Sequence, residues 1–272
     1  MTLSKHTSFL RMGTLLALIS LGSFIFFSWK IMPFYPGLSE AASYSGSVIF
    51  TNVSTFPYIS YITALASIVF SLLLQILIYY FFEKTQSIEI RFLSIFVFSL
   101  LFEGMRIILP IAQAFNLPSF YINIAARALL FGRLFGVFGI FGASLFVCGL
   151  KNQREETVLL PIIFIAALIS MRVTIDYLSW DTSLAPHYGY HIMFKLLELL
   201  IVLISCANFF VGAWTRNTKE YRLIGIGVFV AFLGRNLLIN ANLILPACIG
   251  FTLLCAGTWF AGMQLRRMYL WL

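Results

Sequence analysis

Charge is what this sequence has least of. Only 10% of its 272 residues are Asp, Glu, Lys or Arg, against roughly 25% in a typical soluble domain. So few charges cannot cover the apolar surface of a water-soluble fold of this length, which excludes a soluble enzyme or binding domain. Cysteine is scarce as well. Cys148, Cys206, Cys248 and Cys255 all fall inside apolar runs and form no Cys-x-x-Cys, which excludes a disulfide framework and reads as small core residues. Histidine is rarer still: His187 and Asp181 lack the spacing of metal ligands, and neither a metal nor another cofactor is expected.

The sequence also lacks a Gly-x-Ser-x-Gly elbow, a His-Glu-x-x-His and a phosphate-binding glycine loop. Nor does it carry a His-x4-Asp acyltransferase motif, and its last two apolar runs contain no Lys to carry retinal. The net charge of +8 comes without any basic run interleaved with exposed aromatics, so nucleic acid is set aside as a partner.

What the chain does have is long apolar runs. Hydrophobic residues make up 61% of it and the mean hydropathy is +0.95. A β-barrel would alternate apolar and polar residues in segments of about 10, whereas these runs are long enough to cross a bilayer as helices. The prediction is an all-α, polytopic membrane bundle of eight transmembrane helices, at residues 9–30, 58–82, 92–115, 120–150, 158–178, 190–214, 223–242 and 244–265. Together they form a single membrane domain over residues 1–272, without a soluble domain. The first run is longer than the roughly 7–15-residue core of a signal peptide and reads as a retained helix.

Basic residues fix the orientation. Lys84 and Arg91, Lys151 and Arg154, then Arg216, Lys219 and Arg222, and finally Arg266 and Arg267, fall in every second connection. The intervening connections, from the second helix onward, contain no Lys or Arg. By the positive-inside rule both termini are cytoplasmic, in an inner or plasma membrane.

Charges inside the spans are costly and mark function more often than charges elsewhere. Glu103 and Arg106, three apart in an apolar run, share one helix face. With the orientation above, Arg127 and Arg133, Arg172 and Asp176, His191, Lys195 and Glu198, and Arg235 and Asn236 all lie at or outside the midplane. Six cations (Arg106, Arg127, Arg133, Arg172, Lys195, Arg235) face three acids (Glu103, Asp176, Glu198). That excess predicts a polar cavity open to the outer face, suited to an anion because arginine's fork holds carboxylate or phosphate in two places. The candidate ligand-binding set is Glu103, Arg106, Arg133, Arg172, Asp176, His191, Glu198, Arg235 and Asn236.

A purely structural account competes for some of these. Arg127, Asp176, His191 and Lys195 are close enough to the outer interface to snorkel to it, and Arg172–Asp176 at i,i+4 reads as a packing ion pair. Gly132, Gly136, Gly139 and Ala143 line one side of a helix and read as a close-packing surface.

Three functional readings follow. The favoured one is a non-enzymatic bundle that binds an anionic small molecule or lipid head group for transport or sensing. The second is a membrane enzyme acting on an outer-leaflet lipid, with Arg106, Arg133 and Arg172 on phosphate and Glu103 or His191 as base. The third is an assembly subunit whose charges pair with a membrane-protein partner. Transport itself gains little from the sequence: a Gly/Pro-broken pair of helices is missing, and Pro110 and Pro161 are the interior prolines.

Overall fold

Helix geometry satisfies every backbone polar group within one segment, which is what a chain this apolar requires in lipid. The computed structural model describes residues 3–31, 58–82, 87–150, 155–180, 184 and 186–270. In order these form α1 (Leu3–Ile31), α2 (Tyr58–Phe82), α3 (Ile88–Ser99), a 3₁₀ segment (Leu100–Ile107) and α4 (Ile108–Ala114). There follow α5 (Ser119–Val147), α6 (Glu155–Arg172), β1 (Ile175–Trp180), β2 (Pro186–Tyr188), α7 (His191–Thr215), α8 (Lys219–Ile239) and α9 (Ile244–Leu270). Among the described residues, seven helical stretches are long and apolar enough to cross a membrane. The chain is a multi-pass membrane protein.

Contacts at the helix ends show how the stretches alternate. Near the start of α1, Arg11 donates to the Tyr79 hydroxyl at the end of α2 (3.2 Å). Arg91 in α3 pairs with Glu155 at the start of α6. Arg216, just after α7, donates to the Phe146 carbonyl at the end of α5 (2.9 Å). Tyr221 in the first turn of α8 donates to Glu89 in the first turn of α3 (3.4 Å), and Arg266 late in α9 stacks 4.3 Å from the Phe81 ring of α2. Arg91, Arg216 and Arg266, which set the predicted inner side, thus gather at one end of the bundle; Lys84, Lys151 and Arg154 lie outside the described residues.

Two expectations need correcting. The stretch expected as one helix over 92–115 is broken: residues Leu100–Ile107 wind as 3₁₀. The cause is legible at Gly104, a weak helix former, and Pro110. Proline has no N–H to give to the Arg106 carbonyl, and its ring crowds that same group. It sits in the first turn of α4, where both defects are tolerated.

The second correction concerns 158–178. Helix α6 stops at Arg172, and Ile175 and Asp176 pair antiparallel with Tyr188 and His187 in a short hairpin. The i,i+4 helical spacing expected of Arg172 and Asp176 is therefore absent, and the Asp176 side chain lies outside the described residues. At 18 residues α6 is about 27 Å long; its two leading glutamates and terminal Arg172 leave it below the length and apolarity of the other seven. It nevertheless runs alongside α5, since its last turn meets Arg127 and Ile162 lies where a Cβ on Gly142 would reach it, at 2.9 Å.

α5 is the centre of the bundle, and its small residues let α3 and the 3₁₀ segment approach it. A Cβ on Gly132 would lie 2.3 Å from Phe102, one on Gly139 2.9 Å from Ile95, and one on Gly142 2.6 Å from Phe92. The closest helix pair is α8 with α9, where Gly227 and Gly234 meet Gly257 and Gly250 backbone to backbone. That second glycine seam brings no charge with it. Of the cysteines, Cys206 is buried, Cys255 partly so, and Cys148 and Cys248 are exposed rather than core.

Candidate functional site

A 3₁₀ turn repeats every three residues, so i and i+3 eclipse on one side. That puts Glu103 and Arg106 together in the broken stretch, with Arg106 Nη2 2.5 Å from Glu103 Oε2. From α5, Arg133 reaches the same carboxylate by a two-pronged grip: Nε to Oε1 at 3.1 Å and Nη2 to Oε2 at 3.4 Å. Glu103 is 1% exposed and Arg106 and Arg235 2% each. One acid thus joins two arginines on two elements, deep in an apolar bundle. Ions so placed keep their place only when they are paired and hydrogen-bonded.

Helix ends account for several other arginines. Arg106 also donates to the Ile239 carbonyl (3.2 Å) in the last turn of α8. Arg127 donates to the Ser170 (3.5 Å) and Met171 carbonyls in the last turn of α6, and Arg216 does the same for α5. The last carbonyls of a helix lack an intrahelical partner and carry its negative dipole end, so a cation there is a capping group. Arg127, read from sequence as a snorkelling residue, is such a cap.

Arg235 differs from all of these. It enters from α8 through a gap at Gly136, where a Cβ would lie 2.9 Å from its Nη1 and 2.1 Å from Ser99 Oγ. Both terminal nitrogens aim at one oxygen, the Arg133 carbonyl, at 3.3 Å. That carbonyl is in mid-helix, already an acceptor in the α5 ladder. The guanidinium also lies 5.6 Å from the Phe96 ring, and its Nε is buried without a hydrogen bond. Among the described residues no carboxylate lies within ion-pair distance of Arg235.

The hairpin packs against α5 through β1. Tyr188 of β2 is buried in the core, and its hydroxyl makes no hydrogen bond with a described residue. Burial pushes the phenol up to about 12, and the charges it feels are those of Arg133, Glu103, Arg106 and Glu198. It is therefore a neutral donor across the physiological range. Glu198 of α7 makes no ion pair or hydrogen bond with a described residue, although it is the acid that Arg235 feels most strongly.

Glu103, Arg106, Arg133 and Arg235 are thus brought together from three elements; Glu198 contacts none of them. Arg172 is not: it ends α6, exposed, and does not touch the carboxylate. Asn236 is half-buried, and its carbonyl groups are taken by Asn240 at 2.8 and 3.3 Å. The side chains of Asp176 and His191 lie outside the described residues. Tyr188 was missed because an aromatic in a polar connection carries no signal of its own; only the hairpin fold directs it inward.

No family model matches the chain. Over 94 residues it is 32% identical to an uncharacterized protein of Treponema pallidum (strain Nichols); the match covers 35% of this chain and 27% of that protein. The chain therefore matches about a quarter of the relative's length. The comparison relates sequences and carries no activity across.

Proposed function

We propose that this protein binds an anionic group, from a small solute or a lipid head group, at Arg235, beside the Arg133–Glu103 pair, for transport or sensing. The observation that carries the reading is a guanidinium buried in an apolar bundle that contacts no carboxylate among the described residues. Burying such an ion uncompensated costs several kcal/mol, and every other buried arginine described above has a carboxylate or a helix end. A carboxylate or phosphate meeting the unused N–H groups of Arg235 would remove that cost by charge-assisted hydrogen bonds.

The sidedness belongs to the proposal too. With the arginine-rich connections cytoplasmic, the bundle has eight crossings counting α6, both termini inside, and a site that lies midway and toward the outer face. The enzyme reading is weaker: three guanidinium N–H groups already donate to the Glu103 carboxylate, and a carboxylate so held is a poor base for a substrate proton.

The test uses the full chain purified in dodecyl maltoside and titrated with inorganic phosphate. Wild type is expected to gain thermal stability saturably, and Arg235→Met to melt near the wild-type temperature without any phosphate response. An identical response in both proteins, or none in either, defeats the reading.

A further inference from the structure

Helices α8 and α9 are a unit within the bundle. Along their seam a Cβ on Gly227 would lie 3.0 Å from the Gly257 oxygen, one on Gly234 2.3 Å from the Leu254 nitrogen, and one on Gly250 2.6 Å from the Leu238 nitrogen. Backbones that meet this closely leave few side chains to repack, so the pair keeps its shape. Its hold on the other helices is lighter. Toward α7 it runs through Gly225, whose Cβ would lie 3.1 Å from the Phe209 Cβ. Toward α5, Arg235 adds two hydrogen bonds of 3.3 Å to a single carbonyl.

The packing between this pair and its neighbours is incomplete. A void of about 20 Å³ is lined by Glu89 and Leu93 of α3, Ile140 of α5, Phe209 of α7, Val228 of α8 and Ala261 of α9; it has room for one water. Val228 and Ile140 stand two helical turns from Arg235 and Arg133, on the same helix faces, so the void lies about 10 Å along the axis from the site. A latch adjoins it. The Tyr221 hydroxyl of α8 accepts from Arg216 Nη1 (3.0 Å) and donates to Glu89 Oε1 (3.4 Å). Arg216 is itself anchored on the Phe146 carbonyl of α5 (2.9 Å). Glu89 therefore both lines the void and fastens α8. At the other end of α8, Arg106 holds the Ile239 carbonyl at 3.2 Å.

We propose that α8 and α9 pivot as one body against α3, α5 and α7: release of the Tyr221 latch widens the void into an inward cavity, and Arg235 delivers its anion there. The protein is a transporter, not a sensor. This rests on the anion-binding reading above and its sidedness, and narrows both. Arg235 suits a moving element, because it has no contacting carboxylate to leave behind, whereas separating a buried ion pair is costly. Glu89 bars anions while the latch is closed, and Arg216, on the other side of the same hydroxyl, meets its charge once Tyr221 leaves.

The experiment uses the full chain. In a cysteine-free background, Val228→Cys reports the void and Ala64→Cys, buried in the α1–α2 cluster, is the control. Tyr221→Phe should speed labelling of position 228 by aminoethyl methanethiosulfonate about tenfold, the effect of one lost hydrogen bond, and leave position 64 unchanged. Unchanged labelling at 228, or an equal rise at 64, overturns the pivot. Where Tyr221→Phe does not fold, Glu89→Gln weakens the same latch from α3. In proteoliposomes, wild type should take up inorganic phosphate saturably and Arg235→Met should not. Phosphate binding in dodecyl maltoside without uptake overturns transport and leaves the anion reading standing; absence of binding overturns both. Competition of uptake by dioleoyl phosphatidate assigns the carried group to lipid and its failure assigns it to a free solute, and either result upholds the inference.

Discussion

Both terminal nitrogens of Arg235 point at a single backbone oxygen, the carbonyl of Arg133, 3.3 Å from each. The same Arg133 spends its side chain on Glu103. One residue of α5 therefore holds an acid with its side chain and receives a second guanidinium at its carbonyl. Substitutions should separate the two. Glu103→Gln leaves Arg106 and Arg133 buried against a neutral acceptor and should destabilise the bundle by about 3–5 kcal/mol. Arg235→Met removes a charge that contacts no carboxylate among the described residues and should change stability by less than about 1 kcal/mol, or raise it. Thermal unfolding of both variants in detergent measures the contrast.

The approach of α5 to the broken stretch is set by missing side chains. At Gly136 a Cβ would meet Ser99 Oγ at 2.1 Å and Arg235 Nη1 at 2.9 Å. Gly136→Ala should therefore cost about 1–3 kcal/mol by overpacking and displace Arg235, so phosphate binding falls with stability. Gly22→Ala is the control. Nothing lies within 4 Å of its Cβ, and it should be neutral or gain up to about 1 kcal/mol from helix propensity.

The Tyr188 phenol sets an alkaline limit. Its pKa rises from 10 to about 12 on burial. Because the folded value exceeds the unfolded one, the stabilisation is complete below pH 10 and is lost as pH rises from 10 to 12. Tyr188→Phe should flatten that part of the curve, by up to about 2–3 kcal/mol at the upper limit. Denaturation of wild type and variant across this range, taken as a difference, isolates the phenol from the lysines titrating beside it.

Sidedness can be read by thiol labelling in a cysteine-free background. Arg222→Cys in the first turn of α8 and Asn242→Cys in the α8–α9 connection are at exposed positions at opposite ends of the bundle. An impermeant maleimide should label position 242 in intact cells and position 222 only after permeabilisation. The reverse pattern would invert the proposed orientation.

The class of fold is legible in the amino-acid order alone, because hydrophobic runs of bilayer length admit few alternatives in lipid. The sequence also marked Glu103, Arg106, Arg133 and Arg235 as a group, since charges that deep are too costly to be incidental. It could not show that the stretch from Leu100 to Ile107 leaves the α-helix, although Gly104 and Pro110 were in view, because a break of a few residues depends on what packs across it. The end of α6 at Arg172 was hidden for the same reason: Ile175 and Tyr177 extend an apolar pattern that tertiary pairing with Tyr188 turns into a strand. Only the folded bundle decides which arginine caps which helix, because a cap is a meeting of residues from different elements. That decision divides arginines that look equivalent in the sequence: Arg127 and Arg216 are spent on helix ends, Arg106 and Arg133 on Glu103, and Arg235 keeps a charge for something else.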